Sequence, residues 1–390
     1  MKDKIVEKLI KAEEARQKKV INLIASENYV SDDVLTALGS SLTNKYSEGY
    51  PGRRYYGGNV VIDQIESLAR ERALSLFKLD TKKWHVNVQP LSGSPANFAV
   101  YAAFVPLGGK IMGLKLSSGG HLTHGQPVSM TGKIWKQVPY EVDPKTEMLN
   151  YKEIEKIAMD EKPDIIVAGF TAYGRVVDFK KFAGIAKKSG SLLMVDMSHF
   201  AGLVAGEAYP TPFQYADIVT TTVHKTLRGP RSAMIFVKKD KREMDKKIDK
   251  TIIPGLQGGP HNNQIAAVAV ALKEASTPAF KKYAKQVIKN AQAFAVALEK
   301  KGWRVITGGT DSHLLLVDTW AGGKGLSGKE ASDKLEKAGI IVNMNTIPQD
   351  PRGVMDPSGI RLGTAAETTR GAREKDFVEI ANKMDAILRK

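Results

Sequence analysis

The sequence contains no cysteine. A disulfide framework, a zinc–thiolate centre and thiol catalysis are thereby excluded. It also lacks any run of about 18 uninterrupted apolar residues, the length that a membrane-spanning helix needs. The N-terminal stretch, Met1 to Lys19, is charged throughout and has none of the apolar core of a secretory leader. Internal repeats and low-complexity segments are missing too. Together these absences describe a cytoplasmic globular protein with no membrane segment.

What is present is a chain of 390 residues with 42% apolar content, enough for a sizeable core and for two or three domains. The formal net charge is +16. Such a balance suits nucleic acid or an anionic substrate. The basic residues are dispersed, however. Their densest run, Lys238 to Lys250, is interrupted by Asp240, Glu243, Asp245 and Asp249 and holds no aromatic residue. A solvated helix face has that composition, so nucleic acid is not expected as the main partner.

Residues 1–20 read as an amphipathic helix with Ile5, Leu9 and Ile10 on one face. From 21 to 274, strand and helix patterns alternate. Lys110–Leu116, Asp164–Phe170, Leu192–Val195, Ile218–Thr221 and Ala233–Val237 are predicted strands; Tyr151–Asp160 and Phe179–Lys188 are predicted helices. Such alternation gives an α/β domain whose largely parallel sheet is covered on both faces. From 275 to 390 the texture changes. A long helix, Phe280–Lys301, is followed by short strands at Trp303–Ile306, His313–Asp318 and Ile340–Asn343, a Ser327-capped helix, and a last helix through Phe377, Ile380 and Met384. This reads as a smaller α+β domain.

The chemistry centres on TTTVHKTLRGPR, Thr220 to Arg231, between two strand-like runs. A lysine fixed at a strand end can form a Schiff base with the aldehyde of pyridoxal phosphate. A basic surface turn with a solvated lysine has the same composition. Two other stretches bear on the choice. Asp196 ends the run Leu192–Val195, and His199 follows it. Open α/β sheets bind ligands at such strand ends, where an acid can pair with a pyridinium nitrogen. Ser92-Gly93-Ser94-Pro95 precedes a helical pattern, with Ser94 the expected N-cap and Pro95 the first helical residue. A small-residue turn at a helix N-terminus is a phosphate site. Phosphate turn, acid and lysine, in that order, suit a pyridoxal-phosphate enzyme with an aminotransferase-like fold.

Eight blocks then carry a resemblance. They are LIASEN (Leu23–Asn28), LTNKYSEGYPGRRYYGG (Leu42–Gly58), QPLSGSPAN (Gln89–Asn97), GGHLTHG (Gly119–Gly125), VDMSHFAGLVA (Val195–Ala205), TTTVHKTLRGPR, QGGPHNNQIAA (Gln257–Ala267) and SGIRLGT (Ser358–Thr364). In this order they resemble the serine hydroxymethyltransferase family from about Ile21 to Arg370. The resemblance implies an α/β fold of the aspartate-aminotransferase type (fold type I), with a large pyridoxal-phosphate domain and a smaller C-terminal one. It also implies a homodimer with shared active sites, clasped by the N-terminal helix.

By the same resemblance, Lys225 holds the cofactor covalently, Asp196 pairs with its ring nitrogen and His121 stacks on its face. Ser92, Gly93 and Ser94 bind the phosphate, joined by Tyr46 and Gly259 of the neighbouring subunit. His199 and Thr222 meet the phenolic oxygen and its surroundings. His224 either lines the site or is a buried structural histidine. Arg361 is the candidate anchor for the substrate carboxylate, because guanidinium grips carboxylate with two parallel hydrogen bonds; Ser26 assists. Glu48 is the proton-transfer carboxylate and Tyr56 orients it. Tyr55, Leu116, Gly120, Leu122 and Asn345 form the folate site. His121 and His124 could also suggest a metal pair, but no carboxylate or cysteine cluster accompanies them, so no metal is expected.

The implied reaction moves the hydroxymethyl carbon of serine to tetrahydrofolate, leaving glycine. The chain departs from the family pattern at Leu91, Pro95, Thr171, Ser198, Met355 and Ala365. Thr171 keeps the hydroxyl of the usual serine near the cofactor. A folate-independent aldolase acting on threonine-like or 2-methylserine substrates is the alternative reading within the same fold. A basic RNA-binding protein is the alternative outside it.

Overall fold

Five apolar runs become strands that are buried almost end to end, as parallel strands covered on both faces must be. The computed structural model describes residues 1–389. Its main sheet has seven strands: β1 (Trp84–Asn87), β2 (Lys110–Leu114), β3 (Lys136–Tyr140), β4 (Ile165–Gly169), β5 (Leu192–Asp196), β6 (Ile218–Thr222) and β7 (Ala233–Lys238). Their spatial order is β1-β7-β6-β5-β4-β2-β3. β7 alone runs against the direction of the other six strands. This is a mixed, mostly parallel α/β sheet. Two strands have no counterpart among the predicted ones. Both β1 (WHVN) and β3 (KQVPY) sit at sheet edges, where polar residues and a proline are tolerated and the apolar signal is weak.

The helix after β1 spans Gly93–Phe104, with Ser92 as its N-cap. The cap therefore lies two residues before Ser94, where sequence put it. Pro95 fits inside the first turn because the N–H it lacks would have no intrahelical partner there.

The smaller domain folds around a four-stranded antiparallel sheet in the order β8 (Arg304–Val305), β9 (Leu314–Asp318), β11 (Gly359–Gly363), β10 (Asn343–Asn345). Ser327 caps Gly328–Lys337 through a reciprocal capping box with Glu330. The division of the chain at 21 and 274 is less sharp in space. Ile21–Asn22 pairs with Ile340–Ile341, and Leu23 packs into the small domain's core. The helix Pro278–Lys300 serves both cores, with Phe280 to Val287 in the first and Phe294 to Leu298 in the second.

The helix Lys4–Lys19 buries no residue; Ile5 is 76% and Leu9 64% exposed. No helix among the described residues is long and apolar enough to cross a membrane.

Candidate active site

The carboxyl ends of β4, β5 and β6 and the start of the Gly93–Phe104 helix enclose one cavity. Its lining includes Gly93, His121, Thr171, Asp196, His199, Thr222 and Lys225, brought together from five segments. The helix can approach this closely because residue 93 is glycine: a Cβ there would lie 2.6 Å from Cγ2 of Thr222. Ser92 makes no side-chain cap bond. The backbone N–H groups of Gly93 and Ser94, in the first helical turn, have no intrahelical acceptor, which suits an anion.

Asp196 is buried, and all its hydrogen bonds are internal. Its Oδ2 accepts from Asn97 Nδ2 at 2.8 Å and meets His124 Nε2 at 3.2 Å, while Oδ1 accepts from the Ser198 N–H at 3.1 Å. Burial by itself would raise this carboxyl. The hydrogen bond from His124 and the nearby charge of Lys225 instead hold it far below the usual carboxylate range. His124 Nδ1 accepts from the His121 N–H at 3.4 Å, so both its ring nitrogens are engaged and neither is free for a metal.

His121 is tied by its Nδ1 to Thr123 Oγ1 at 2.7 Å. Burial lowers it to about 4, so it is a neutral ring at pH 7. Lys225 is 9% exposed, and its amine has no hydrogen-bond partner among the described residues. Burial pushes this amine down to about 8, with Asp196 pulling it partly back.

Arg361, on β11, reaches across from the small domain. It donates to the carbonyl of Thr171 at 2.8 Å and to Asn343 Oδ1 at 3.1 Å. It has no carboxylate partner among the described residues, and withdrawal from water lowers it to about 10. Thr171 in turn donates from Oγ1 to the carbonyl of Gly120 at 2.8 Å. Arg361 therefore stands directly behind Thr171, a residue of the cavity lining, as a cation with no acid partner among the described residues.

Several other expected residues fall outside the cavity lining. Ser26, Leu116, Leu122, Asn345 and His224 do not line this cavity. Leu122 is 45% exposed, and Asn345 donates to the carbonyl of Thr346. His224 Nδ1 is buried without a partner, and burial lowers that ring to about 3. Tyr46, Glu48 and Gly259 gather elsewhere: Tyr46 OH lies 3.4 Å from Glu48 Oε1, and a Cβ on Gly259 would come within 2.9 Å of the Tyr46 ring. Tyr46, Tyr55 and Tyr56 are 51%, 73% and 47% exposed.

Asn97 and His313 escaped the sequence reading, and Ser198 was read only as a departure from the family pattern. Asn97, besides holding Asp196, accepts from Thr220 Oγ1 at 2.8 Å. Ser198 Oγ accepts from the Thr222 N–H at 3.0 Å. His313 stacks on His199, with Nε2 3.2 Å from His199 Nδ1. Asn97 lies one helical turn beyond Gly93 and shares its face, which is the signal that could have found it.

The donor set fits pyridoxal phosphate: a buried, partnerless amine, an ionised carboxylate, a neutral imidazole and open N–H groups at a helix start, all at one cavity. Fold and cavity together define a pyridoxal-phosphate-dependent transferase of fold type I. Residues 1–384 match the family model described as "Serine hydroxymethyltransferase". The chain is also 55% identical over 380 residues, 97% of its length and 87% of the relative's, to a protein of Desulfotalea psychrophila named serine hydroxymethyltransferase. The chain belongs to the serine hydroxymethyltransferase family.

Proposed function

We propose that this protein catalyses the reversible reaction of L-serine and tetrahydrofolate to glycine, 5,10-methylenetetrahydrofolate and water. The observation that carries the reading is Arg361, a buried guanidinium with no acid of its own, bonded to Thr171 of the Lys225 cavity. An amino-acid carboxylate supplies the missing charge in the geometry guanidinium prefers.

Pyridoxal phosphate, when bound, supplies the electron sink for breaking the Cα–Cβ bond of serine. The chain's residues do the rest. Lys225 attaches the cofactor through an amine already disposed to be neutral. Asp196, kept ionised by Asn97 and His124, holds a proton on the ring nitrogen. The Gly93 and Ser94 N–H groups take the phosphate, and neutral His121 covers the ring face. Arg361, assisted by Ser26, fixes the substrate carboxylate, so that the bond to be broken is oriented before reaction.

Glu48 moves the proton of the substrate hydroxyl, with Tyr56 beside it. Both come from a second copy, as do Tyr46 and Gly259 at the phosphate. The exposed tyrosines, together with Val60 at 74% and Val61 at 62% exposure, support a homodimer that closes over them. The Lys4–Lys19 helix, apolar on one open face, clasps the same partner. Tyr55, Leu116, Gly120, Leu122 and Asn345 bind the folate. The protein works in the cytoplasm.

The test is serine consumption by the purified holoenzyme with and without tetrahydrofolate. Glycine formation should require the folate. Equal turnover without it would replace this reading with a folate-independent aldolase.

A further inference from the structure

A second, open cleft of about 860 Å³ lies at the end of the main sheet opposite Lys225. Small-molecule sites span roughly 300–1,000 Å³. Lys225 follows the carboxyl end of β6. The cleft sits instead where Trp84 opens β1 and Lys238 closes the antiparallel β7, the two residues being register partners. The parallel strands separate it from the lysine by on the order of 15 Å.

Its floor is aromatic. The Phe77 and Phe213 centroids are 5.1 Å apart, and those of Trp84 and Phe213 are 5.3 Å apart. All three residues line the cleft and are otherwise packed in the core, with 8, 6 and 5% of Phe77, Trp84 and Phe213 exposed.

The rim is cationic because four lysines, Lys78, Lys83, Lys238 and Lys239, stand against three acids, two of which are paired with cations. Glu207 pairs with Lys78 at 2.5 Å and Lys281 at 2.9 Å; Asp240 pairs with Arg242; Asp80 accepts the Lys82 N–H at 2.8 Å. Lys83 and Lys238 have no carboxylate partner among the described residues. The Lys238 amine stands 5.9 Å from the Trp84 ring centroid, at the outer limit of cation–ring attraction.

We propose that this cleft binds a flat organic anion, one or two aromatic rings bearing a carboxylate, sulfonate or phosphate. The rings lie on the Phe77–Trp84–Phe213 floor, and the anionic group meets Lys83 and Lys238. A neutral apolar ligand would leave both ammonium groups unused. A small inorganic anion would leave the aromatic floor wet. Only a ligand with both parts uses both features. The inference is independent of the serine chemistry proposed above.

The test titrates the holoenzyme with 8-anilinonaphthalene-1-sulfonate and, as the uncharged match, N-phenyl-1-naphthylamine. Binding should saturate at one sulfonate probe per chain. It should weaken at least tenfold for the uncharged probe and at least tenfold in a Lys83→Glu, Lys238→Glu double variant. Thr211→Trp, at the exposed rim, should block it. The cofactor's visible spectrum, unchanged in both variants, checks that they fold. Saturating serine should not displace the probe. Binding that survives both variants, fails to saturate or yields to serine overturns the proposal.

Discussion

The Lys225 cavity is sunk below the surface, whereas three tyrosines of the 46–56 block stand out of it. Asp196, Thr222 and Lys225 are 7, 5 and 9% exposed, against 51, 73 and 47% for Tyr46, Tyr55 and Tyr56. In the cavity, Asp196, His121 and His199 are held by partners within the chain. In the block, Glu48 has one weak contact, to Tyr46. A side chain fully bonded inside its own chain is positioned before any ligand arrives. Exposed aromatics beside a lone carboxylate take their final surroundings from another surface. The two regions are the halves that a site shared between two copies would have.

The comparison breaks most completely at Lys225. Lys225→Ala should abolish turnover and remove the cofactor's visible absorption from gel-filtered protein. It leaves the exposed block untouched, so the oligomeric state should not change. Multiple turnover at the parent rate would show that the cavity lysine is not the attachment point.

Next in size is Glu48→Gln, which keeps shape and hydrogen bonding but cannot shuttle a proton. Folate-dependent serine cleavage should be lost, while cofactor binding and some cleavage of threonine-like substrates persist. If the block serves the neighbouring site, mixing inactive Lys225→Ala and Glu48→Gln chains under subunit exchange restores activity. One site of each mixed dimer then holds both residues intact, giving about a quarter of the parent activity for random pairing. Proven exchange with no recovery would assign Glu48 to its own chain's cavity.

Arg361→Ala should cost on the order of 3–5 kcal/mol in serine binding, because it leaves a carboxylate unpaired in a partly buried site. Serine and glycine affinities should fall about a hundredfold or more, with cofactor binding spared. Unchanged serine affinity, read by isothermal calorimetry, would move the anchor elsewhere.

How legible these halves were in the sequence depends on where their signals lie. Lys225, Asp196 and the Ser92–Ser94 turn each sit beside a clear strand or helix end, so the pattern put them at element ends, while their roles came from the resemblance. Asn97 and His313 did not announce themselves, since their partners are 99 and 114 residues away in the chain. Contacts of that kind exist only once β5 and the small domain are in place. Edge strands β1 and β3 were obscured by their polar residues, and Ile21–Asn22 is too short to show that it belongs beside Ile340–Ile341. The roles of Tyr46, Glu48 and Tyr56 rested on resemblance throughout, because nothing in a single chain's pattern says that a residue serves another copy.

The smallest expected effect concerns the consequence of burial itself. Withdrawal from water lowers the Lys225 amine from 10.5 to about 8, against the opposing pull of Asp196. The neutral amine is the form that attacks an aldehyde. The rate of cofactor attachment to the apoprotein should therefore rise roughly tenfold between pH 7 and pH 9 and then level off. An ordinary lysine would keep gaining about tenfold per pH unit to pH 10. Asp196→Asn removes the opposing pull and should move the midpoint lower still. Stability follows with a definite sign. Between about 8 and 10.5 the unfolded chain binds the proton that the folded chain has released, so the apoprotein gains stability as pH rises through that window and loses it as pH falls. Stopped-flow absorbance of cofactor loading across pH 6.5–10.5 reads the first effect, and urea unfolding of the apoprotein reads the second. A loading midpoint near 10 would mean that the Lys225 amine meets water, and the contrast between a sunken cavity and an exposed block would fail at its central residue.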